Sequence, residues 1–376
     1  MRNTCPTPMQ RCTAHSGPGR GSTVWTSRRR AGQLLAHRAS GRDALRTGVK
    51  DGLERMGTQG VSSCQLLEHG VTNSGRMPMS PSRAIIAATD FSAPSRHAAQ
   101  RAALLARASG ASMTLSHIVG GSALDDLRRW LADASQAAGV IELDARQRLQ
   151  ELAAELGRSQ GIDVLTHLGI GHPVEQVVRH ADDVDAGLLV TGTRGAGFFR
   201  GVVFGSTAER IADRSSRPVL MVRQLPHEPY RRILVPVDFS VWSRSAIELA
   251  RQIAPEASLV LMHAVEVPFE GKMRLAGVAE DVVIRYRDAA QREALQRLRE
   301  LAADAGLDAA RVRMSAPSGA DPWMLIVQEE QEQDCDLVVI GRQGRHALDE
   351  FLLGSTTRMV ISDGAGDVLI STRHPG

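Results

Sequence analysis

The chain is poor in lysine, cysteine and aromatic side chains, and these shortages exclude several kinds of binding site and protein class. Only Lys50 and Lys272 among the 45 basic residues are lysine, and no Gly-x-x-x-x-Gly-Lys-Ser/Thr motif occurs, which excludes a Walker-type phosphate loop. The four cysteines include no Cys-x-x-Cys pair, which argues against structural zinc and a disulfide framework and favours a reducing cytoplasm. No apolar run approaches the roughly 18 residues of a transmembrane helix, and the first 20 residues lack the apolar segment of a secretory signal.

Basic charge is concentrated at the start of the chain. Residues 1–76 contain twelve Arg or Lys and four Asp or Glu, so the remainder is mildly acidic and lacks the composition of a nucleic-acid binder. Because residues 1–80 show no sustained periodicity, we expect a disordered basic leader there. Three other interpretations fit the same residues: a transit peptide, a nucleic-acid-binding arm, or a misassigned start before a true Met77 or Met79.

From Arg83 onward the chain repeats itself with a period near 148 residues. Arg83–Ser92 reads RAIIAATDFS and Arg232–Ser240 reads RILVPVDFS. Each is an apolar run that ends in Asp-Phe-Ser before a helical segment, which is typical of a β–α unit with a serine cap. A period of this length with about five strands per copy indicates a duplicated domain rather than a solenoid. We expect domains at 81–224 and 231–373, joined by a short linker that contains two prolines.

Strands and helices alternate in both copies. This alternation predicts an α/β fold with a five-stranded parallel sheet in each copy and helices on both faces. The long helix of the first copy is expected to be interrupted near Gly139. After the first strands, the predicted strands are Ser112–Val119, Ile162–Leu168, Gly187–Gly192 and Pro218–Val222, then Ser258–Val265, Arg311–Ser315, Asp336–Gly341 and Asp367–Ser371. The predicted helices are Ala93–Ala108, Asp125–Leu156, Val174–His180 and one from Gly205, then Val241–Ile253, Val278–Ala305, Asp321–Glu332 and one from Gly354.

The fourth strand of each copy runs into the same glycine motif: Gly-x-x-Gly, nine residues, then Gly-Ser-Thr. Glycine lets the backbone approach a phosphate closely, and a helix that begins at the last glycine directs its free N–H groups and positive dipole end at an anion. Both loops leave the carboxyl end of a strand, where open α/β sheets bind ligands. A single Gly-x-x-Gly is weak evidence, whereas the full motif twice at equal spacing is specific.

An aspartate ends the first strand of each copy, on the same edge of the sheet as the glycine motif. The carboxylates of Asp90 and Asp238 can accept hydrogen bonds from a base amino group or a ribose hydroxyl. The backbone near Ile118 and Ala264, at the end of the second strands, is placed to face an adenine edge. A divalent metal could neutralise the remaining phosphate charge. The alternative interpretation is that both aspartates only cap the helices that follow.

Together these residues resemble the universal stress protein family in its tandem-domain, ATP-binding form, over about residues 82–373. The resemblance implies an adenine nucleotide α-hydrolase-like, Rossmann-like sheet of strand order 3-2-1-4-5. It also implies pairing through the fifth strands, either between the two copies or in a homodimer, and ATP as the ligand, with or without Mg²⁺. Another branch of the family lacks the glycine loop and does not bind ATP. The nucleotide contacts that the resemblance implies are Asp90, Ile118, Gly192, Gly195, Gly205, Ser206 and Thr207, then Asp238, Ala264, Gly341, Gly344, Gly354, Ser355 and Thr356.

The second copy departs from this pattern in two places. Asp367 stands where the first copy has Pro218, which puts the pairing of its last strand in question. Asp349 and Glu350 stand where the first loop has Arg200, and they would weaken phosphate binding if they faced the phosphates.

The sequence therefore predicts a cytoplasmic, nucleotide-binding regulatory or stress-response protein. No nucleophile–base pair, kinase signature or histidine metal cluster is evident, so we expect no dedicated enzyme, although slow ATP hydrolysis stays open. Membrane and nucleic-acid partners are not expected, and protein partners are not specified. His117, His263 and Cys335 are interpreted as core residues. The alternatives are a nucleotide hydrolase or phosphotransferase in the same pocket, and a ligand-free interaction scaffold whose glycine loops are only tight turns.

Overall fold

A computed structural model of the chain describes residues 84–121, 134–193, 205–343 and 353–372. The expected leader lies outside these residues, as do the motif glycines Gly195 and Gly344 and the loop residues Arg200, Asp349 and Glu350. In the first copy the elements are β1 (Ile85–Ala88), α1 (Ala93–Ser109), β2 (Met113–Gly120), α2 (Ala134–Gln160), β3 (Val164–Gly171), α3 (Pro173–Asp183), β4 (Leu188–Gly192), α4 (Ser206–Arg214) and β5 (Val219–Val222).

The second copy repeats this order after a short connection. It adds one short helix and one 3₁₀ turn, Ala309–Arg311, to the predicted elements. The elements are β6 (Arg232–Pro236), α5 (Val241–Ile253), β7 (Ser258–Met262), α6 (Glu270–Leu275), α7 (Glu280–Asp304), β8 (Val312–Ser315), α8 (Pro322–Glu332), β9 (Leu337–Gly341), α9 (Ser355–Asp363) and β10 (Asp367–Ser371).

The strands form one sheet of ten, in the order β3-β2-β1-β4-β5-β10-β9-β6-β7-β8. Strands within a copy are parallel, so each half has the expected order 3-2-1-4-5. The two halves meet where β5 and β10 pair antiparallel, with Leu220 opposite Leu369. The structure thus confirms the α/β fold and its strand order, and shows the fifth strands of the two copies paired within one chain.

Helices cover both faces of the sheet because the strands β1, β4, β5, β9 and β10 are apolar on both sides. On one face α1, α2, α5 and α7 pack into one apolar cluster, and on the other α3, α4, α8 and α9 pack into a second. Each cluster contains residues of both copies. Right-handed crossovers produce this division, since the chain moves outward from β1 to β3 on one face and returns to β4 and β5 on the other.

The expected break near Gly139 is wrong. Helix α2 runs through Gly139 without interruption. Its neighbour Ala138 is buried in a small cluster with Val119 and Ala145, whereas Gly139 faces solvent with no atom near its missing side chain. A glycine costs a helix about 1 kcal/mol relative to alanine, and packing of the opposite face offsets that cost.

Strand β7 ends earlier than predicted. The sequence predicts a strand to Val265, but the regular ladder ends at Met262. Beyond it the chain still bonds to the next segment, because the Val265 amide donates to the carbonyl of Pro317 at 2.8 Å. The backbone therefore stays paired with the segment after β8 as far as Val265, although the regular ladder of β7 has ended.

Asp367, which replaces the expected proline, is part of a buried polar network at the junction of the copies. Its carboxylate accepts hydrogen bonds from the amide of Arg223 at 2.8 Å and from the hydroxyl of Tyr230 at 2.7 Å. Arg101 of the first copy lies 3.4 Å from the same carboxylate. The Glu330 carboxylate accepts from the amide of Gly366 at 2.5 Å, just before β10. Pairing of β10 therefore persists without the proline, because Glu330 binds the backbone just before β10 and Asp367, the first residue of β10, binds the backbone just after β5.

Candidate functional site

The predicted residues of the second copy converge on one cavity of about 940 Å³ at the carboxyl edge of the sheet. The cavity lies where β6 and β9 are neighbours and their connections leave in opposite directions, which is the switch point at which such sheets bind ligands. Residue Gly344 is outside the described part of the chain. The predicted residues that line the cavity are Asp238, Ala264, Gly341, Gly354, Ser355 and Thr356.

The Asp-Phe-Ser turn has the same unusual backbone in both copies. Phe91 and Phe239 adopt left-handed conformations with φ of 64° and 61°. A bulky residue in this region costs about 1–3 kcal/mol, and such strain clusters at functional sites. Each ring packs against a histidine at the end of the second strand, with centroids 4.3 Å apart for Phe91 and His117 and 4.6 Å apart for Phe239 and His263.

The two aspartates hold this turn in shape. One carboxylate oxygen of Asp238 accepts from the amide of Ser240 at 2.9 Å and from the hydroxyl of Ser243 at 2.7 Å. In the first copy, Asp90 accepts from the amide of Ser92 at 3.1 Å. Each carboxylate thus bonds to the N-cap residue of the following helix, Ser92 or Ser240, rather than being the cap itself, and Asp238 also faces the cavity.

The two strand histidines are anchored to the backbone. Nδ1 of His117 lies 2.7 Å from the carbonyl oxygen of Thr89, and Nδ1 of His263 lies 2.6 Å from that of Val237. Since a carbonyl only accepts, Nδ1 carries the hydrogen in both rings. The hydrogen bonds agree with the sequence interpretation, but both rings are half-buried rather than in the core, and His263 lines the cavity. Each bond also ties the end of the second strand to the end of the first.

The helices that follow the glycine motif begin as the motif predicts. Gly205 and Gly354 are the N-cap residues of α4 and α9, and neither helix start has a side-chain cap among the described residues. The first amides of a helix have no partner within it, so these N–H groups and the positive dipole end point to the carboxyl edge of the sheet. Both N-caps have negative φ, so their glycines are not required by backbone conformation.

The strand-end glycines have a packing role. A side chain at Gly192 would place its Cβ 2.9 Å from the backbone of Pro94, and one at Gly341 would lie 3.0 Å from the Cβ of Trp242. The first turns of α1 and α5 thus press directly on these strand ends. Close packing explains these two glycines whether or not a phosphate lies nearby.

One wall of the cavity comes from residues that sequence reasoning missed. Helix α7 contributes Tyr286, Glu293 and Arg297, and the Arg297 guanidinium lies 3.9 Å from the centre of the Phe239 ring. Positions 286, 290, 293, 294 and 297 recur at helical spacing, which marks one face of α7. The spacing could have identified that face, but only the tertiary fold shows that it meets the sheet edge.

The matching residues of the first copy lie at the same edge of its half-sheet. Asp90 follows β1, Gly192 ends β4 beside it, and Gly205 precedes α4. Ser206 and Thr207 are exposed in the first turn of α4. The side chain of Ile118 is buried, close enough to Gly169 that a Cβ there would lie 2.7 Å from it, so only its backbone is placed to meet a ligand.

Other candidate groups are structural. Cys335 is buried in an apolar cluster, and burial raises the pKa of its thiol to about 12, which agrees with its interpretation as a core residue. Over the described ranges, no group of three or more His, Cys, Asp or Glu residues is arranged to hold a metal ion. Within the same ranges, no helix combines the length and apolarity needed to cross a bilayer.

Comparison with known proteins decides the family. A family model described as "Universal stress protein family" matches residues 81–223 and again 229–371. The chain belongs to the universal stress protein family. Its two matched segments contain both halves of the sheet, both Asp-Phe-Ser turns and both glycine motifs.

Individual relatives agree with this assignment. A universal stress protein of Mycolicibacterium smegmatis is 27% identical over 301 residues, which cover 76% of this chain and 96% of the relative. The stress response protein NhaX of Bacillus subtilis is 34% identical over 80 residues, or 21% of this chain, and the match spans only 43% of NhaX. A solved universal stress protein from Archaeoglobus fulgidus covers 77% of this chain and 98% of its own, with a TM-score of 0.57 at 19% identity, which shows a shared fold.

Proposed function

We propose that this universal stress protein is a cytoplasmic regulatory protein of the stress response that binds ATP or a related adenine nucleotide. The observation that carries the proposal is the cavity in the second copy, where six sequence-predicted residues from four different segments meet at the carboxyl edge of the sheet. Its volume of about 940 Å³ is within the upper part of the range of small-molecule sites.

The chemistry of the cavity walls fits a nucleotide. At one end, the uncapped start of α9 offers the amides and hydroxyls of Ser355 and Thr356 to a phosphate chain. At the other, the Asp238 carboxylate can accept from a ribose hydroxyl or a base amino group, and the backbone of Ala264 can face the adenine edge. Mg²⁺, when bound with the nucleotide, would neutralise part of the phosphate charge. No lysine is required, because main-chain dipoles supply the positive potential.

We extend the proposal to the first copy, at Asp90, Ile118, Gly192, Gly195, Gly205, Ser206 and Thr207. Its support is the repeated Asp-Phe-Ser turn and the uncapped helix start at Gly205. Nucleotide occupancy would then alter the shape of a molecule whose two copies share a sheet, and with it the choice of a protein partner or of a second chain.

A ligand-free scaffold remains the competing function, and one observation favours it. Packing against the helices after the Asp-Phe-Ser turns already accounts for Gly192 and Gly341. That account does not extend to Gly354, whose φ and ψ suit any residue and whose helix has no side-chain cap from the described part of the chain.

Replacing Ser355 with glutamate tests the proposal. Ser355 is exposed at the first position of α9, so Ser355→Glu should fold, and a carboxylate there interacts favourably with the helix dipole. The same carboxylate repels a triphosphate at close range, by about 1–4 kcal/mol at 4 Å, so we expect ATP·Mg²⁺ to bind at least about tenfold more weakly in calorimetry.

The equivalent Ser206→Glu variant is the matched control, because Ser206 is the exposed first residue of α4. Loss of one of two binding events in each variant would assign one site to each copy. Unchanged ATP binding in Ser355→Glu would contradict the proposed site. Turnover of ATP at a substantial rate by the wild-type protein, abolished by the same change, would favour the hydrolase alternative.

A further inference from the structure

We propose that Asp213 of the first copy holds the phosphate-binding turn of the second copy in place, so that the second nucleotide site is built by both copies. The inference rests on the proposed function, because it concerns the affinity of that site. Asp213 lies near the end of α4, the helix whose first turn belongs to the first site.

The turn that precedes α9 is fixed by three hydrogen bonds. The amide of Leu353 donates to the Asp213 carboxylate at 3.0 Å, and the carbonyl of Leu353 accepts from Nε of Arg358 at 3.2 Å. The amide of Gly354 donates to the carbonyl of Arg342 at 2.9 Å. These bonds set the direction in which the following amides, of Ser355 and Thr356, point into the cavity. Only the Asp213 bond comes from the other copy.

Arg358 joins the same arrangement across the junction. Its guanidinium lies 3.1 Å and 3.3 Å from the two oxygens of Asp213 and also pairs with Glu209. Two carboxylates of the first copy thus face one arginine of the second, and that arginine bonds to the backbone of the turn. The Asp213 side chain is 18% exposed, so its ion pair is less screened than a surface pair.

Arg342 also forms hydrogen bonds between the two copies. It occupies the second position of the Gly-x-x-Gly motif, yet its buried side chain turns away from the cavity into the junction. It donates to the carbonyl of Asp213 at 3.3 Å and to that of Ser215, at the carboxyl end of α4, where a helix dipole favours a cation. Burial lowers the pKa of Arg342 and the Asp213 charge opposes that shift. Helix α4 therefore connects the first phosphate site at its start to the second loop at its end.

The residues that tie the two copies together at the second site are not repeated at the equivalent positions of the first site. With the offset of 149 residues between Gly205 and Gly354, the position of Asp213 corresponds to Ser362 and that of Arg342 to Thr193. A serine and a threonine cannot form the carboxylate–amide and guanidinium–carbonyl bonds that Asp213 and Arg342 form. The charged contacts that Asp213 and Arg342 make across the junction therefore have no charged counterpart at positions 362 and 193, and we assign the stronger dependence on the other copy to the second site.

The experiment is a titration of the full chain with ATP·Mg²⁺ in the wild-type protein and in Asp213→Ala. Trp242 is one of four tryptophans and lines the second cavity, so the part of the fluorescence change that Trp242→Phe removes reports on that site, and calorimetry gives the total number of sites. Asp213→Ala removes the hydrogen bond to the Leu353 amide together with the ion pair to Arg358, and we expect ATP to bind about two- to tenfold more weakly at the second site. Asp213→Asn retains an acceptor for the Leu353 amide and should fall between the two.

The matched control is Glu175→Ala. It also removes a carboxylate of the first copy, one that pairs with Arg214 at 3.5 Å on the exposed surface. It should leave ATP binding unchanged. Amide hydrogen exchange without nucleotide distinguishes this role from a general effect on stability, which would not act selectively on one amide. The Leu353 amide should exchange faster in Asp213→Ala than in Glu175→Ala.

The outcomes separate the two claims. Weaker binding at the second site with faster exchange at Leu353 supports the inference. If the wild-type protein binds ATP and Asp213→Ala binds it with the same affinity, the inference is overturned and the proposed function is unaffected. Failure of the wild-type chain to bind ATP at all overturns the proposed function, and the inference with it.

Discussion

At the scale of single residues, the junction between the copies depends on a buried carboxylate. Asp367 is 1% exposed and is surrounded by two backbone amides, the Tyr230 hydroxyl and the Arg101 guanidinium. Burial raises the pKa of Asp367, and the hydrogen bonds and Arg101 oppose that shift. The hydrogen bonds and Arg101 offset part of the cost of burying the carboxylate, and removing one partner leaves a buried polar or charged group uncompensated.

Asp367→Asn should therefore destabilise the protein. The amide can accept from the Arg223 amide but not also offset the buried Arg101 charge, and breaking a buried pair on one side costs about 3 kcal/mol. Urea unfolding measures the loss. The control is Asp363→Asn, since Asp363 is exposed four positions earlier, and its free energy of unfolding should stay within about 0.5 kcal/mol of wild type. Equal stability of both variants would show that the junction network contributes little.

A stacked pair of histidines should give the first copy a dependence on pH. The rings of His167 and His180 lie 3.7 Å apart and nearly parallel, at 5°. Burial lowers the pKa of both, and His167 lowers that of His180 further while Asp183 raises it. For a base with a lowered pKa, the folded state binds fewer protons than the unfolded state. Its contribution to stability is full above the ordinary pKa of 6.5 and is lost as pH falls through the lowered folded value.

His180→Gln should weaken this dependence. Between pH 7 and pH 5, roughly the window below the ordinary histidine pKa, wild type should lose more free energy of unfolding than the variant does. His172→Gln is the control, because His172 is exposed at the start of α3 and outside the stacked pair. Urea unfolding at several pH values gives the slope of the free energy of unfolding against pH. A change in stability that is the same at every pH does not alter this slope. Identical slopes for wild type and His180→Gln would refute the assignment.

At the scale of elements, helix α2 shows how packing overrides local preference. The sequence predicts an interruption at Gly139, yet the helix continues because Ala138 and Ala145 are held against Val119. Helix propensity acts over a few residues, whereas the face that packs on the sheet is set by contacts distant in sequence. The continuity of α2 through Gly139 could therefore not be predicted from the local sequence.

Gly139→Ala should stabilise the protein by about 0.5–1 kcal/mol, because nothing lies within 4 Å of the added methyl and alanine is the better helix former. Gly157 in the same helix is the matched control, since its added Cβ would lie 2.9 Å from the carbonyl oxygen of Ile162. Gly157→Ala should destabilise. Thermal unfolding compares the two changes, and stabilisation by both, or by neither, would contradict the packing described for α2.

At the scale of the whole molecule, the parts predicted well from sequence are those with local signals that occur twice. Apolar runs fixed the strands to within a few residues, and the Asp-Phe-Ser turns and glycine motifs marked the edge where the cavity lies. The strand order came from resemblance to a family rather than from periodicity, and the structure confirms it.

The parts that could not be predicted depend on contacts between segments far apart in the chain. Tyr286 and Arg297 reach the cavity only because α7 packs beside the Asp-Phe-Ser turn. Asp213 lies 140 residues from Leu353, and nothing local to either residue indicates that they meet. The missing proline at Asp367 suggested a weaker strand pairing, but the buried network that replaces it becomes visible only when both copies are assembled.

Native mass spectrometry of the intact chain with ATP·Mg²⁺ tests the central claim most directly. Main-chain amides and helix starts at the sheet edge are proposed to hold a polyphosphate, so the wild-type protein should carry one nucleotide for each functional copy, and Ser355→Glu should carry one fewer. The absence of any nucleotide adduct on the wild-type chain at millimolar ATP would contradict the account and leave a paired α/β scaffold. At that concentration, even a site with a binding free energy of about −4 kcal/mol would be partly filled.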